Sequence, residues 1–261
     1  MKVLVVGAGE MGRWFARTLR AEQPDTAVAF ADADPDVAAA AAGELDARAV
    51  GTDTTEGFAL VCIAVPIPAV ADAIEAYADN ADRAMVDVSG VMTEAVSAMA
   101  AAAPDCERVS FHPLFAAANA PGNVAVVPDA VGTVTDRVRA ALTDAGNDLF
   151  ETTAQRHDRS METVQARTHA AVLAFGLAAE SVDDTFQTPV SAALFDALEQ
   201  VTGNDPGVYA DIQTAFEGAE DVADAARRLA DADRETFERL YDEADAALES
   251  GGLDREDGEG R

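Results

Sequence analysis

Lysine is nearly absent from this 261-residue chain: Lys2 is the only one, and the other seventeen basic residues are arginines. Set against 48 acidic residues, they leave a formal charge of −30. So acidic a surface repels phosphate backbones, which excludes nucleic acid as a partner. The acid is spread through helices and loops amid heavy alanine use, the composition of a chain adapted to molar intracellular salt, where the Debye length falls to about 3 Å and self-repulsion is screened. Cysteine is almost missing too. Cys62 and Cys106 are too few for a disulfide framework and lack metal-ligand spacing, so no metal site is expected and a reduced, cytoplasmic setting fits. Long apolar runs are lacking: the longest, around FALVCIAVP, falls far short of the ~20 residues that span a bilayer, and no basic segment followed by an apolar one opens the chain. The expectation is a soluble protein with no membrane partner.

What is present is an alternation. KVLVV runs into GAGEMG and then the helical pattern RWFARTLRAE; AVAFAD precedes PDVAAAAAGEL, ALVCIAV precedes PIPAVADAIEAYA, AMVDV precedes VMTEAVSAMAAAA, and RVSF and NVAVVP follow, with VTDRVRAALTDAG last. Apolar strands alternating with helices predict a parallel sheet covered on both faces. After about Phe150 the strand signal stops and everything long enough to read is helical. Three segments are therefore expected: an α/β domain over 1–150, an all-α domain over 151–249, and an acidic tail over 250–261 with too little apolar content to fold. The helical half offers more apolar surface than a domain of ~100 residues buries alone, which predicts a homodimer formed through it.

Gly7, Gly9 and Gly12 form G-x-G-x-x-G between a strand and a helix at the start of a βαβ unit, where the pattern has a mechanism. Gly7 allows the tight turn, Gly9 lets backbone approach a pyrophosphate, and Gly12 lets helix pack on strand. Ala8, Glu10 and Met11 complete the turn. Asp32, 20 residues past Gly12 at the end of the second strand, would accept hydrogen bonds from ribose hydroxyls and repel a 2′-phosphate, so NAD is expected over NADP. Pro66 ends a strand at the sheet's carboxyl edge and would shape the loop over the nicotinamide. The N-terminal half thus reads as a Rossmann-like, doubly wound dinucleotide-binding domain.

Histidine is scarce: His112, His157 and His169 are the only three. His112 stands in RVSFHPLF between a β-type run and a proline, a setting that suits either a satisfied core histidine or a reactive one. The run HDRSMETVQARTH, wound at 100° per residue, places Asp158, Glu162, Gln165 and His169 on one polar stripe beside Met161, Val164, Val172 and Phe175. AAVLAFGLAA beyond it is apolar all round and predicts a buried helix. A polar stripe entering a buried helix needs partners, either another helix or a bound polar ligand.

GAGEMG, AVP, DVSGVM, SFHPLF, PGNVAVVP, HDRSMETVQARTHAAVLAFGLA and TPVSAALFDALEQVTGNDPGVYADI, in this order over residues 1 to about 215, resemble the prephenate/arogenate dehydrogenases of tyrosine biosynthesis. The resemblance implies NAD-dependent oxidative decarboxylation of prephenate to 4-hydroxyphenylpyruvate, or of arogenate to tyrosine. By it, His112 is the base that takes the proton of the substrate's C4 hydroxyl, His157 stands at the substrate pocket, and Gln165 and His169 line it. An ordinary histidine pKa near 6.5 would suit that base. The chain departs from the pattern as well. Gly90 and Met92 replace a serine and a lysine, which makes Ser89 the candidate stand-in. Ala192 and Gln200 occupy positions where arginines often hold substrate carboxylates, leaving Arg159 and Arg167 as candidate cations. Two other enzyme classes share the layout, pyrroline-carboxylate reductases and β-hydroxyacid dehydrogenases, although the latter want a lysine in the helical half. A catalytically silent NAD-binding regulator is the remaining alternative.

Overall fold

The structure, a computed structural model, describes residues 1–250. The acidic tail expected over 250–261 lies outside them but for Ser250. Eight strands form one sheet in the order β3-β2-β1-β4-β5-β6-β7-β8: β1 (Lys2–Val6), β2 (Ala27–Ala31), β3 (Arg48–Ala49), β4 (Phe58–Ile63), β5 (Ala81–Asp87), β6 (Glu107–Pro113), β7 (Asn123–Ala130) and β8 (Asp148–Glu151). Between them run α1 (Glu10–Glu22), α2 (Pro35–Glu44), α3 (Val70–Tyr77), α4 (Met92–Ala102) and α5 (Thr133–Asp144).

Alternation along the strands builds the two faces. Val3 and Val5 point into a core with Phe15, Leu19 and Phe30, while Leu4 and Val6 point into the opposite one with Ile74, Met85 and Met99. Strands buried on both faces read as unbroken apolar runs, which is why β1 and β4 stand out in the sequence.

The sheet is not wholly parallel, as the alternation had suggested: β7 runs antiparallel to β6. The connection from Leu114 to Gly122 holds a single 3-10 turn, Ala117–Asn119, too short for the crossover that a parallel neighbour requires. Two strands escaped the sequence reading. β3 has two exposed residues, and β8, DLFE, has none that are buried, so neither carries an apolar pattern.

Six helices follow: α6 (Ala154–Met161), α7 (Thr168–Ala178), α8 (Pro189–Thr202), α9 (Pro206–Ala215), α10 (Ala219–Ala230) and α11 (Arg234–Ser250). Thr153 caps α6, its side chain accepting from Arg156 N. Between α6 and α7 the chain keeps winding through a π-helical segment, Glu162–Arg167. Its wider turn lets residues four apart, His157, Met161, Gln165 and His169, stay on one side. The helical half packs thinly. Its buried cluster is Met161, Ala166, Ile212 and Phe216, with Ile67, Val91 and Leu114 of the sheet half against it. The burial expected of AAVLAFGLAA is not found within one chain: Val172 is the buried residue of α7, and Leu177 is 90% exposed. An apolar helix has too few neighbours here to cover every side.

Candidate functional site

The glycine turn leads from β1 into α1. Gly7 has φ +94°, and a Cβ there would stand 2.2 Å from the Ala64 carbonyl oxygen at the end of β4. A Cβ at Gly12 would lie 2.0 Å from Gly7 O, so helix and turn touch directly. At Gly9 nothing lies within 4 Å, so backbone there meets open space. No side chain caps the N-terminus of α1, whose first amides keep their hydrogens for a ligand. Asp32 ends β2 beside this turn: its Oδ2 accepts from Ala8 N at 2.7 Å and its Oδ1 from Asp34 N at 2.9 Å. The carboxylate thus braces the turn that it was expected to complement. Ala8 is buried, Met11 packs on the core behind the turn, and Glu10 is exposed. The open cradle, the uncapped helix and the carboxylate fit a dinucleotide with free ribose hydroxyls. Pro66 is exposed on the next loop, which turns inward at Ile67.

His112 lies at the end of β6, at the sheet's carboxyl edge, and is buried. Its Nδ1 is 2.7 Å from Nε2 of His157, a buried residue of α6. His157 Nδ1 in turn is 2.8 Å from Asp158 Oδ1. Asp158 also accepts from two amides at the start of α4, Met92 N at 3.0 Å and Thr93 N at 2.9 Å. Burial works to raise the Asp158 pKa, but the hydrogen bonds from His157, Thr93 and Met92 outweigh it and hold the group below the ordinary carboxylate range. An ionised Asp158 can only accept, and that fixes both tautomers. His157 donates from Nδ1 and offers a lone pair at Nε2; His112 then donates from Nδ1 and carries its own lone pair at Nε2. That last nitrogen faces Gly90, where a Cβ would stand 3.7 Å from it and 3.3 Å from Ile67 Cδ1.

The expected ordinary pKa is corrected here. Burial first, and then the neighbouring His157 ring, push His112 down to about 3 despite the opposing pull of Asp158. His112 is therefore unprotonated at neutral pH.

Ser89 has another task than the one considered for it. It is buried, and its hydroxyl lies within hydrogen-bond reach of Asp87 Oδ1 and Val91 O, both acceptors for its single hydrogen. Burial raises the Asp87 pKa to about 6, against the hydrogen bonds from Ser89. The two residues shape the loop that presents Gly90. Arg167 bonds Asp221 at 2.7 Å and Thr163 Oγ1 at 2.9 Å, which spends its guanidinium within the helical half. Arg159 is exposed.

Farther along the π segment, Gln165 Oε1 and His169 Nδ1 are buried without hydrogen-bond partners. Burial also lowers the His169 pKa. His169 meets Tyr209 of α9 edge to face, with ring centroids 4.7 Å apart. The sequence reading missed Ile67, Tyr209 and Gln213 and assigned Asp158 no role beyond the polar stripe. Asp158 was the legible one, since a carboxylate beside a buried histidine on one helix is a pattern in itself.

Comparison with known proteins agrees with this geometry. A sequence profile described as the nucleotide-binding domain of prephenate dehydrogenase matches residues 15–129. The chain is 32% identical over 286 aligned positions to a 4-amino-4-deoxyprephenate dehydrogenase of Streptomyces pristinaespiralis, covering 97% of this chain and 93% of that protein. Its fold resembles the Aquifex aeolicus prephenate dehydrogenase solved with hydroxyphenyl propionate and NAD+, at TM-score 0.68 and 19% identity over 96% of this chain and 98% of that one. Synechocystis arogenate dehydrogenase gives TM-score 0.61 and 15% identity over 96% and 100%. A likeness of 32% over 97% of this chain and 93% of that protein is a likeness of whole proteins, and the chain belongs to the prephenate dehydrogenase family.

Proposed function

We propose that this dehydrogenase uses NAD to oxidise and decarboxylate a cyclohexadiene of the prephenate or arogenate type, giving 4-hydroxyphenylpyruvate or tyrosine. One observation carries the reading: the Asp158–His157 pair presents His112 with an unprotonated Nε2 at the sheet's carboxyl edge, where open α/β sheets bind their ligands. His112 Nε2 accepts the hydrogen bond of the substrate's C4 hydroxyl and takes its proton as C4 is oxidised. Bound NAD would supply the hydride acceptor, the ring carboxylate leaves as CO₂ while the ring aromatises to a phenolate, and His112 returns the proton to that oxygen. Asp158 stays ionised and stabilises charge that develops on the histidine pair. In the Streptomyces relative's substrate an amine replaces the C4 hydroxyl, and a lone pair at Nε2 receives either N–H or O–H. A β-hydroxyacid dehydrogenase is disfavoured because no lysine follows Lys2, and a silent regulator because a buried histidine is oriented through His157 and Asp158 at the sheet's carboxyl edge. Absorbance at 340 nm on adding prephenate, then arogenate, with NAD in molar KCl tests the proposal; no NADH with either substrate refutes it.

Asp32 gives the cofactor prediction. NAD should be used at least ten times better than NADP, a difference of about 1.4 kcal/mol, and Asp32→Ser should narrow it. Because Asp32 also holds Ala8 N, the variant should raise KM for NAD as well as lower it for NADP. Equal use of the two cofactors by the parent enzyme would refute the assignment.

The domain division at about residue 150 remains our reading, with His157 on the helix that joins the two halves. The helical half is also where a second copy fits. Leu177, Phe186 and Val190 are 90%, 77% and 73% exposed, and α8 buries none of its residues. Apolar surface of that extent is covered in a homodimer. Light scattering in high salt should give a dimer for the full chain and a monomer for Leu177→Glu/Val190→Glu. No described helix is long and apolar enough to cross a membrane, and we place the enzyme in the cytoplasm.

A further inference from the structure

The turn between β5 and α4 is gripped by a carboxylate at each end. At its foot stands Asp87, the last residue of β5, wholly buried and paired across the sheet with Ser110, two residues before His112 on β6. Its Oδ1 accepts from Ser89 N at 3.1 Å and from the Ser89 hydroxyl, which also lies 3.1 Å from Val91 O. At its head, α4 has no capping side chain of its own, and Asp158 reaches across from α6 to accept from Met92 N and Thr93 N. Between the two ends lie Gly90, beside His112 Nε2, and Val91, packed against Met161, Ile212 and Phe216 of the helical half. The helical half thus meets the sheet on this turn, next to the base. The grip at the foot works against folding: Asp87 Oδ2 is buried without a partner, and a carboxylate buried with one oxygen unsatisfied is costly. An asparagine would form the same turn without burying a charge. What the charge adds is strength, since an ionised acceptor holds Ser89 about twice as firmly as a neutral one.

We infer that Asp87 is a positioning residue for the reaction: by holding Ser89 it sets the course of the turn, lays the first amides of α4 where Asp158 accepts both, and so keeps Asp158 and His157 aligned on His112. The inference rests on the function proposed above. Asp87 acts through Asp158 and has no bond of its own to the histidines. When the foot of the turn is released, Met92 N and Thr93 N are free to shift together, and Asp158 must follow them or give them up. Its Oδ1 serves His157 as well as Met92, so either response moves the histidine pair. A misplacement of about 1 Å that begins away from the chemistry is enough to cost up to about 10² in rate.

The test is steady-state kinetics with NAD in molar KCl, well above the Asp87 pKa of about 6, on whichever of prephenate and arogenate the parent turns over faster. Asp87→Ala should lower kcat roughly tenfold or more and leave KM for NAD within about twofold of the parent's. Asp87→Asn, which keeps a neutral acceptor for Ser89, should recover part of that loss. The decisive measurement is the cycle with Asp158→Asn: where the head of the turn is already loosened, Asp87→Ala should lower kcat by less than about threefold more. If Asp87→Ala does not fold, Ser89→Ala takes its place, since it removes the hydroxyl and leaves the backbone intact; it should lower kcat in the parent and leave it nearly unchanged in Asp158→Asn. A folded Asp87→Ala as fast as the parent, an Asp87→Asn no faster than Asp87→Ala, or the same loss in both backgrounds overturns the inference while leaving the dehydrogenase reading in place. Absence of turnover by the parent with either substrate ends both.

Discussion

His112→Asn is expected to lower kcat by roughly 10² to 10⁴ while the KM for NAD stays nearly unchanged. Asparagine has similar reach and can still hydrogen bond, but it cannot take the substrate's proton. Its side chain leaves the glycine turn and Asp32 untouched. The pH profile separates this from a simple loss of packing. With His112 pushed down to about 3, the parent's kcat/KM should not fall through a midpoint near 6.5 as pH is lowered. The sign for stability is the reverse of what a histidine gaining a charged partner would give. Below about pH 6.5 the unfolded chain binds a proton at this position and the folded one does not until about pH 3, so the unfolded state binds more protons and stability is lost as pH drops through that window. His112→Asn should therefore flatten the acid side of the Tm-against-pH curve. A variant that turns over substrate as fast as the parent would make His112 structural.

How much of this was legible beforehand depends on where the information lies along the chain. β1, the glycine turn and Asp32 are local: apolar run, turn residues and a fixed spacing sit within one βαβ unit, and the cradle they form is the one the spacing predicts. His112 and His157 were each visible as histidines in distinctive contexts. Their contact was not, because it joins the end of a strand to a helix 45 residues later. Nor was the depressed pKa, since burial and a second imidazole are properties of the assembled site. Ser89 shows the same dependence on the assembled structure: in sequence it stands one place from Gly90, and in space its hydroxyl turns to Asp87 and Val91, within its own loop. The π segment was illegible for a subtler reason, because a single extra residue per turn leaves the helical pattern intact on either side while shifting its phase. Gln213 escaped because a lone amide on a short helix carries no signal until its partner atoms are known.

Asp158→Asn should have the second largest effect, and it tests the relay rather than the base. The aspartate uses Oδ1 toward His157 and Met92 N and Oδ2 toward Thr93 N. Asparagine has one acceptor oxygen for these three donors. If its oxygen takes the Oδ2 place at Thr93 N, its Nδ2 faces Met92 N and donates to His157 Nδ1; His157 then carries its proton on Nε2, and His112 must accept at Nδ1 and hold its own proton on Nε2. The lone pair leaves the substrate side. If instead the oxygen keeps His157, an amide of α4 faces an N–H group and α4 loses a charge-assisted cap, at about 1–3 kcal/mol. A drop in kcat of roughly 10² is expected, with a lower Tm and little change in KM for NAD. Because either arrangement would lower Tm, stability alone cannot identify the role of Asp158. The double mutant can. Once His112 is asparagine there is no base to orient, so Asp158→Asn should cost far less kcat in that background than in the parent. If it costs the same factor in both, Asp158 does no more than cap α4, and the relay has no part in the reaction.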